Sequence, residues 1–194
     1  LGVCYSHGKG VRKDYKKAFE WYFKSAEQGT SGGQFNLGAC FYNGTGVEQD
    51  YNKAFEWFLK AAEQGNSWAQ NNLGICYLDG LGVEKDFVKG IEWITKSAKQ
   101  GYAIAQYNLG RCYMEGEGVE QDYKQAVKWY KKAAKQGEPW AQNNLGICYE
   151  RGEGVRKNYK KAVEWYRKAA EQGASLAQYH LARCQANGLC KKRP

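Results

Sequence analysis

The sequence predicts an all-α protein, a stack of helical hairpins with about five repeats and a terminal helix. Three observations carry this prediction. The pair Leu-Gly recurs at Leu1-Gly2, Leu37-Gly38, Leu73-Gly74, Leu109-Gly110 and Leu145-Gly146, with Leu181-Ala182 as a sixth copy, each step being 36 residues. Tryptophan keeps the same step at Trp21, Trp57, Trp93, Trp129 and Trp165. Cysteine keeps it from Cys4 through Cys40, Cys76, Cys112 and Cys148 to Cys184. A fixed period of this length marks an array of supersecondary units, each of which buries its apolar side only against its neighbours. At 194 residues and 43% hydrophobic composition the chain is large and apolar enough for a real core. No run of about 18 apolar residues and no leader segment is visible.

Each unit reads as two helices. In the third repeat, helix A contains Ala69 to Tyr77 and helix B runs from Asp86 to Gln100. The connection is a Gly-x-Gly-Val loop, seen as Gly8/Gly10, Gly44/Gly46, Gly80/Gly82, Gly116/Gly118 and Gly152/Gly154. Its first glycine falls where helix A must end in a left-handed conformation. Three residues after the loop valine come Asp14, Asp50, Asp86, Asp122 and Asn158, all suited to cap helix B. Pairs such as Gln64-Gly65 end it. Prolines occur only at Pro139 and Pro194, which leaves the interiors free to be helical. Helical phase puts Tyr51, Ala54, Phe58 and Ala61 on one side of the second helix B, flanked by Trp57 and Ala62. Glu20/Lys24, Glu56/Lys60, Glu92/Lys96 and Glu164/Lys168 are expected to pair at i, i+4 on the outer side. The resulting divisions are 1–32, 33–68, 69–104, 105–140, 141–176 and the partial 177–194, within a single solenoid domain over 1–194. Leu1 falls inside a helix A, so the first repeat reads as truncated, and its open end could support self-association.

The string Ala141-Gln142-x-x-Leu145-Gly146-x-x-Tyr149-x-x-Gly152-x-Gly154-Val155, followed by Tyr159-x-Lys161-Ala162 and Trp165-x-x-Lys168-Ala169-Ala170-x-Gln172-Gly173, resembles the Sel1-like repeat family, relatives of the tetratricopeptide repeat. The resemblance covers essentially the whole chain. It implies a right-handed α-α superhelix with helix A on the concave side. It also implies adaptor work, since family members assemble protein complexes or mediate contacts between microbe and host. Secreted relatives carry paired cysteines within each repeat, whereas this chain has one per repeat. Equivalent helices about 8–10 Å apart are too distant for a disulfide, which needs Cα atoms within about 7 Å. These cysteines are therefore expected to be small buried hydrophobes, and their free thiols favour a reducing compartment.

Function is expected on the other side of helix A. With Leu73 turned to the core, Asn71, Ile75 and Leu78 point away. The equivalent sets are Phe35, Ala39, Tyr42; Tyr107, Arg111, Met114; Asn143, Ile147, Glu150; and Tyr179, Arg183, Ala186. These positions vary while the core positions repeat, and aromatic, Met, Ile and Arg side chains are types favoured at interface centres. A peptide or partner protein is expected along this ladder, anchored near Tyr107, Arg111 and Met114, with Tyr179 and Arg183 as a second anchor and arginine clamping a carboxylate.

Two other readings stay open. The net charge of +9 and the lysines Lys124, Lys128, Lys131, Lys132 and Lys135, with Lys191, Lys192 and Arg193 beyond them, allow nucleic-acid binding through the basic C-terminal half. Nucleic acid is disfavoured because the ladder lacks a recurring polar pair to read bases. A secreted bacterial host-interaction factor is the other. Catalysis is not expected. No Ser-His-Asp, HExxH, CxxC or P-loop pattern occurs, and the glycine loops lack the following Gly-Lys-[Ser/Thr]. His180, Cys184 and Cys190 make too weak a set for a metal site. No cofactor is expected.

Overall fold

The computed structural model describes residues 1–186; the sequence features placed on Cys190, Lys191, Lys192, Arg193 and Pro194 lie outside them. Eleven α-helices occur among the described residues: α1 (Gly2–His7), α2 (Tyr15–Glu27), α3 (Ser31–Asn43), α4 (Tyr51–Glu63), α5 (Ser67–Asp79), α6 (Phe87–Lys99), α7 (Ala103–Glu115), α8 (Tyr123–Lys135), α9 (Pro139–Arg151), α10 (Tyr159–Glu171) and α11 (Ser175–Ala186). Odd-numbered helices are the A helices and even-numbered ones the B helices. No helix among these residues is long and apolar enough to cross a membrane. Contacts divide the chain into two compact units, Leu1–Gln100 and the part from Gly101 onward. Within each, every helix packs on the one that follows it.

The ends of the helices follow from single residues. Asp50 and Asp86 accept the amides of Lys53 and Lys89 at 3.0 Å, and Asn158 does the same for Lys161. The cap residue's own N–H returns to helix A, as from Asp86 to the Tyr77 carbonyl at 2.9 Å, so one residue both closes the loop and starts the next helix. Helix A ends at a left-handed glycine, for example Gly80 at φ 72°. The second loop glycine is required for a different reason. A Cβ on Gly82 would stand 2.0 Å from the Tyr51 carbonyl oxygen, so the loop lies directly on the start of the previous repeat's helix B.

The core of the first unit is built from Leu37, Phe41, Ala54, Phe58, Ala61, Ala62, Ala69, Leu73 and Cys76. That of the second centres on Tyr130, Leu145, Cys148, Val163 and Tyr166 with the alanines between them. The expected inner face of α4 is present, with Ala54, Phe58 and Ala61 buried and Tyr51 and Trp57 half-buried. The glycine of the Leu-Gly pair makes room for the large residue opposite: a Cβ on Gly146 would lie 2.5 Å from the Tyr166 ring. A glutamine relay ties each hairpin together. The side-chain amides of Gln64, Gln100, Gln136 and Gln172 donate to Gln34, Gln70, Gln106 and Gln142 at 2.7–2.9 Å.

The outer side of the B helices differs from expectation. Among the described residues, the ion pairs include Lys53–Asp50 and Lys89–Asp86, which join caps to the first turn. Lys24, Lys60, Lys96 and Lys168 instead lie over the indoles of Trp21, Trp57, Trp93 and Trp165 at 5.0, 4.1, 3.8 and 4.5 Å from the ring centroid. The i−3 tryptophan outcompetes the i−4 glutamate because the ring face attracts the ammonium while its hydrocarbon stem covers the indole.

Cys4, Cys40, Cys76, Cys112 and Cys148 are thiols, and all but the half-buried Cys4 are buried. Burial pushes Cys40 and Cys112 up to about 11, and Cys76 and Cys148 up to about 12. A thiol so held is neutral and unreactive near neutral pH.

Candidate interaction surface

The ladder residues on the A helices divide into three groups. In the first unit Phe35, Ala39, Tyr42 and Ile75 are half-buried. In the second unit the same holds for Tyr107, Arg111, Met114, Ile147, Glu150 and Arg183, while Tyr179 is 61% exposed and Ala186 is also exposed. Asn71, Leu78 and Asn143, expected on the open face, are buried instead.

The reasons for that correction are local. Leu78 sinks toward α6 because Gly90 stands where the other B helices carry Ala18, Ala54, Ala126 and Ala162. A Cβ on Gly90 would meet the Leu78 side chain at 2.7 Å. Asn143 is short and donates to Asn144 at 3.3 Å, and its Oδ1 is buried without a hydrogen-bond partner among the described residues. Asn71 makes the equivalent bond to Asn72 at 3.2 Å. Large aromatic residues at the same repeat position cannot withdraw in this way. Phe35 packs against Phe58 and Trp68, with centroids 6.0 and 5.7 Å apart, and Tyr107 packs on Tyr130 at 6.0 Å.

The arginines are not equivalent. Arg111 holds Glu115 at 3.4 Å in a partly exposed ion pair. Arg183 is engaged within the chain: its Nη2 donates to both oxygens of Glu150 at 2.6 and 2.7 Å. Tyr166 donates to the same carboxylate at 2.6 Å, and His180 stacks on the Tyr166 ring at 5.0 Å. Burial pulls the His180 imidazole below its ordinary value, with Arg183 adding to the effect. The clamp expected to await a partner's carboxylate at Arg183 therefore already holds one from α9. Among the described residues no group of His, Cys, Asp and Glu could hold a metal ion.

One set of surface residues was missing from the sequence reading. Trp68, Ile104, Trp140 and Leu176 are 51%, 43%, 49% and 44% exposed. They occupy one repeat position in the first turn of α5, α7, α9 and α11, immediately before Ala69, Ala105, Ala141 and Ala177. The signal for them was the period itself: a position that is Gly32 on α3 but large and apolar in the four repeats that follow, yet lies outside the helical phase of the core.

Helical hairpins with a 36-residue period, capped and packed in this way, define an α-hairpin repeat protein. The Sel1 repeat family model matches residues 1–30, 31–66, 69–102, 103–138, 141–173 and 175–193, and the chain belongs to that family. The fold is the all-helical Sel1 repeat solenoid. Among solved structures, a Sel1 repeat protein from Oxalobacter formigenes is 32% identical, with a TM-score of 0.90, over 100% of this chain and 77% of that one. A protective antigen present in uropathogenic Escherichia coli strains is 37% identical with a TM-score of 0.86. This chain is covered in full there but spans only 42% of the antigen's length. Cysteine rich protein B of Helicobacter pylori is 26% identical with a TM-score of 0.55, over 69% of this chain and 96% of that one. No curated protein matches significantly. Sel1 repeat proteins are generally non-enzymatic scaffolds for protein–protein interaction.

Proposed function

We propose that this chain is a scaffold that binds a partner protein or peptide on the exposed side of its A helices. The observation that carries the reading is the recurrence of one large exposed apolar side chain at the same position of α5, α7, α9 and α11, namely Trp68, Ile104, Trp140 and Leu176. Beside them lie the half-buried rings of Phe35 and Tyr107 and the exposed ring of Tyr179. Isolated apolar residues on a surface need no explanation, but Ile104, Trp140 and Leu176 recur at one helix position within the second unit, as an interface requires. Arg111 and Met114 share α7 with Ile104. The test compares affinity capture by the intact chain with capture by a variant carrying Ala at Tyr107, Arg111 and Met114, followed by titration of the purified partner against both. At least a ten-fold loss of affinity is expected; equal affinity of the two chains rejects the reading.

A further inference from the structure

The junctions α7–α9 and α9–α11 use the same positions with different residues. Between α9 and α11, Arg183 donates to Glu150, the Tyr166 hydroxyl donates to the same carboxylate, and His180 covers the Tyr166 ring. One repeat earlier those positions hold Ile147, Met114, Tyr130 and Asn144. Isoleucine is too short to fill the space a guanidinium takes, and methionine offers it no counter-charge. What remains is a cavity of about 180 Å³ lined by Met114, Tyr130, Asn144, Ile147 and Cys148 with the Arg151 and Glu153 pair.

We propose that this cavity receives one aliphatic side chain from an acidic segment of a partner protein. The inference rests on the scaffold reading above and names the chemistry of the partner. Size favours a single side chain, since sites for small organic ligands run to about 300–1000 Å³. Chemistry favours an apolar one, because Met114, Ile147 and Cys148 supply much of the wall and methionine adapts to varied shapes. The polar groups of the lining are already engaged with one another: Asn144 donates to the Tyr130 hydroxyl at 3.4 Å, and the largely exposed Arg151 holds Glu153 at 3.7 Å. Charge complementarity selects an acidic segment. Residues 101–194 hold 17 Lys and Arg against 9 Asp and Glu, whereas residues 1–100 hold 12 against 11. Long-range attraction by such a surplus speeds encounter with acidic chains and disfavours basic ones.

The test uses a fluorescein-labelled peptide in which one leucine is flanked by glutamates and aspartates, a counterpart with alanine for leucine, and one with lysine for the acidic residues. Met114 is the sole methionine in the chain, so its labelled methyl group reports cavity occupancy directly by NMR. The leucine peptide is expected to shift that signal and to bind at least ten-fold more tightly than either counterpart. The double variant Met114→Glu with Ile147→Arg rebuilds the Glu150–Arg183 pair one repeat earlier and plugs the cavity with an arrangement the fold already accommodates. It is expected to lose the ten-fold preference for leucine over alanine. Equal binding of the leucine and alanine peptides, an unmoved Met114 signal, or undiminished preference in the plugged variant overturns the cavity proposal. Loss of peptide binding in Trp140→Ala alongside any of these results leaves the wider scaffold reading in place.

Discussion

Asp50 and Asp86 show how much a single side chain does here. Each accepts the amide three residues on, and that hydrogen bond holds its carboxyl below the ordinary aspartate value of 3.8. A depressed folded-state value contributes stability that is complete above the unfolded value and lost as pH falls through the folded one. Asn158 fills the same position without a titrating group. The double substitution Asp50→Asn, Asp86→Asn is therefore expected to keep the helices and to flatten the fall in melting temperature below about pH 4. An unchanged acid slope would show that the caps do not carry it. The thiols give a second expectation at this scale. Cys76 and Cys148, buried and held neutral, should resist a thiol reagent at pH 8 in the folded protein and react only on unfolding, as read by mass mapping.

At the scale of the element, the two kinds of loop glycine separate backbone strain from collision. Gly65 and Gly82 both have positive φ, at 86° and 71°. Nothing lies within 4 Å of a Cβ on Gly65, while one on Gly82 would strike the Tyr51 carbonyl. Gly65→Ala should cost about 1–2 kcal/mol, the price of a left-handed alanine. Gly82→Ala should cost distinctly more in a denaturant titration, and equal losses would contradict the loop contact. These ends of the helices were legible in the sequence because caps and left-handed glycines act within a few residues. The lysine positions were not, because a glutamate four residues back and a tryptophan three residues back compete for the same ammonium and only the folded rotamers decide. The burial of Leu78 was hidden for a similar reason: it depends on Gly90, twelve residues away on another helix.

At the scale of the whole molecule, the period prescribed the repeats and the helical content, since each unit is the same local problem solved again. It marked the ladder positions as variable but could not say which of them remain open. Asn143 and Leu78 withdraw, Arg183 is taken up by Glu150, and Trp140 emerges at a position that phase alone did not assign. The uneven charge also acts at this scale. Raising salt from about 50 to 200 mM is expected to slow association with the leucine peptide more than it speeds dissociation, because the surplus acts before contact.

The most direct test of the scaffold account places a photoreactive amino acid at Ile104, on an A helix, and separately at Val88, an exposed position on a B helix. After illumination with the purified partner, a covalent adduct is expected from position 104 and not from position 88. An adduct from position 88 alone would contradict the account and move the binding surface to the B helices.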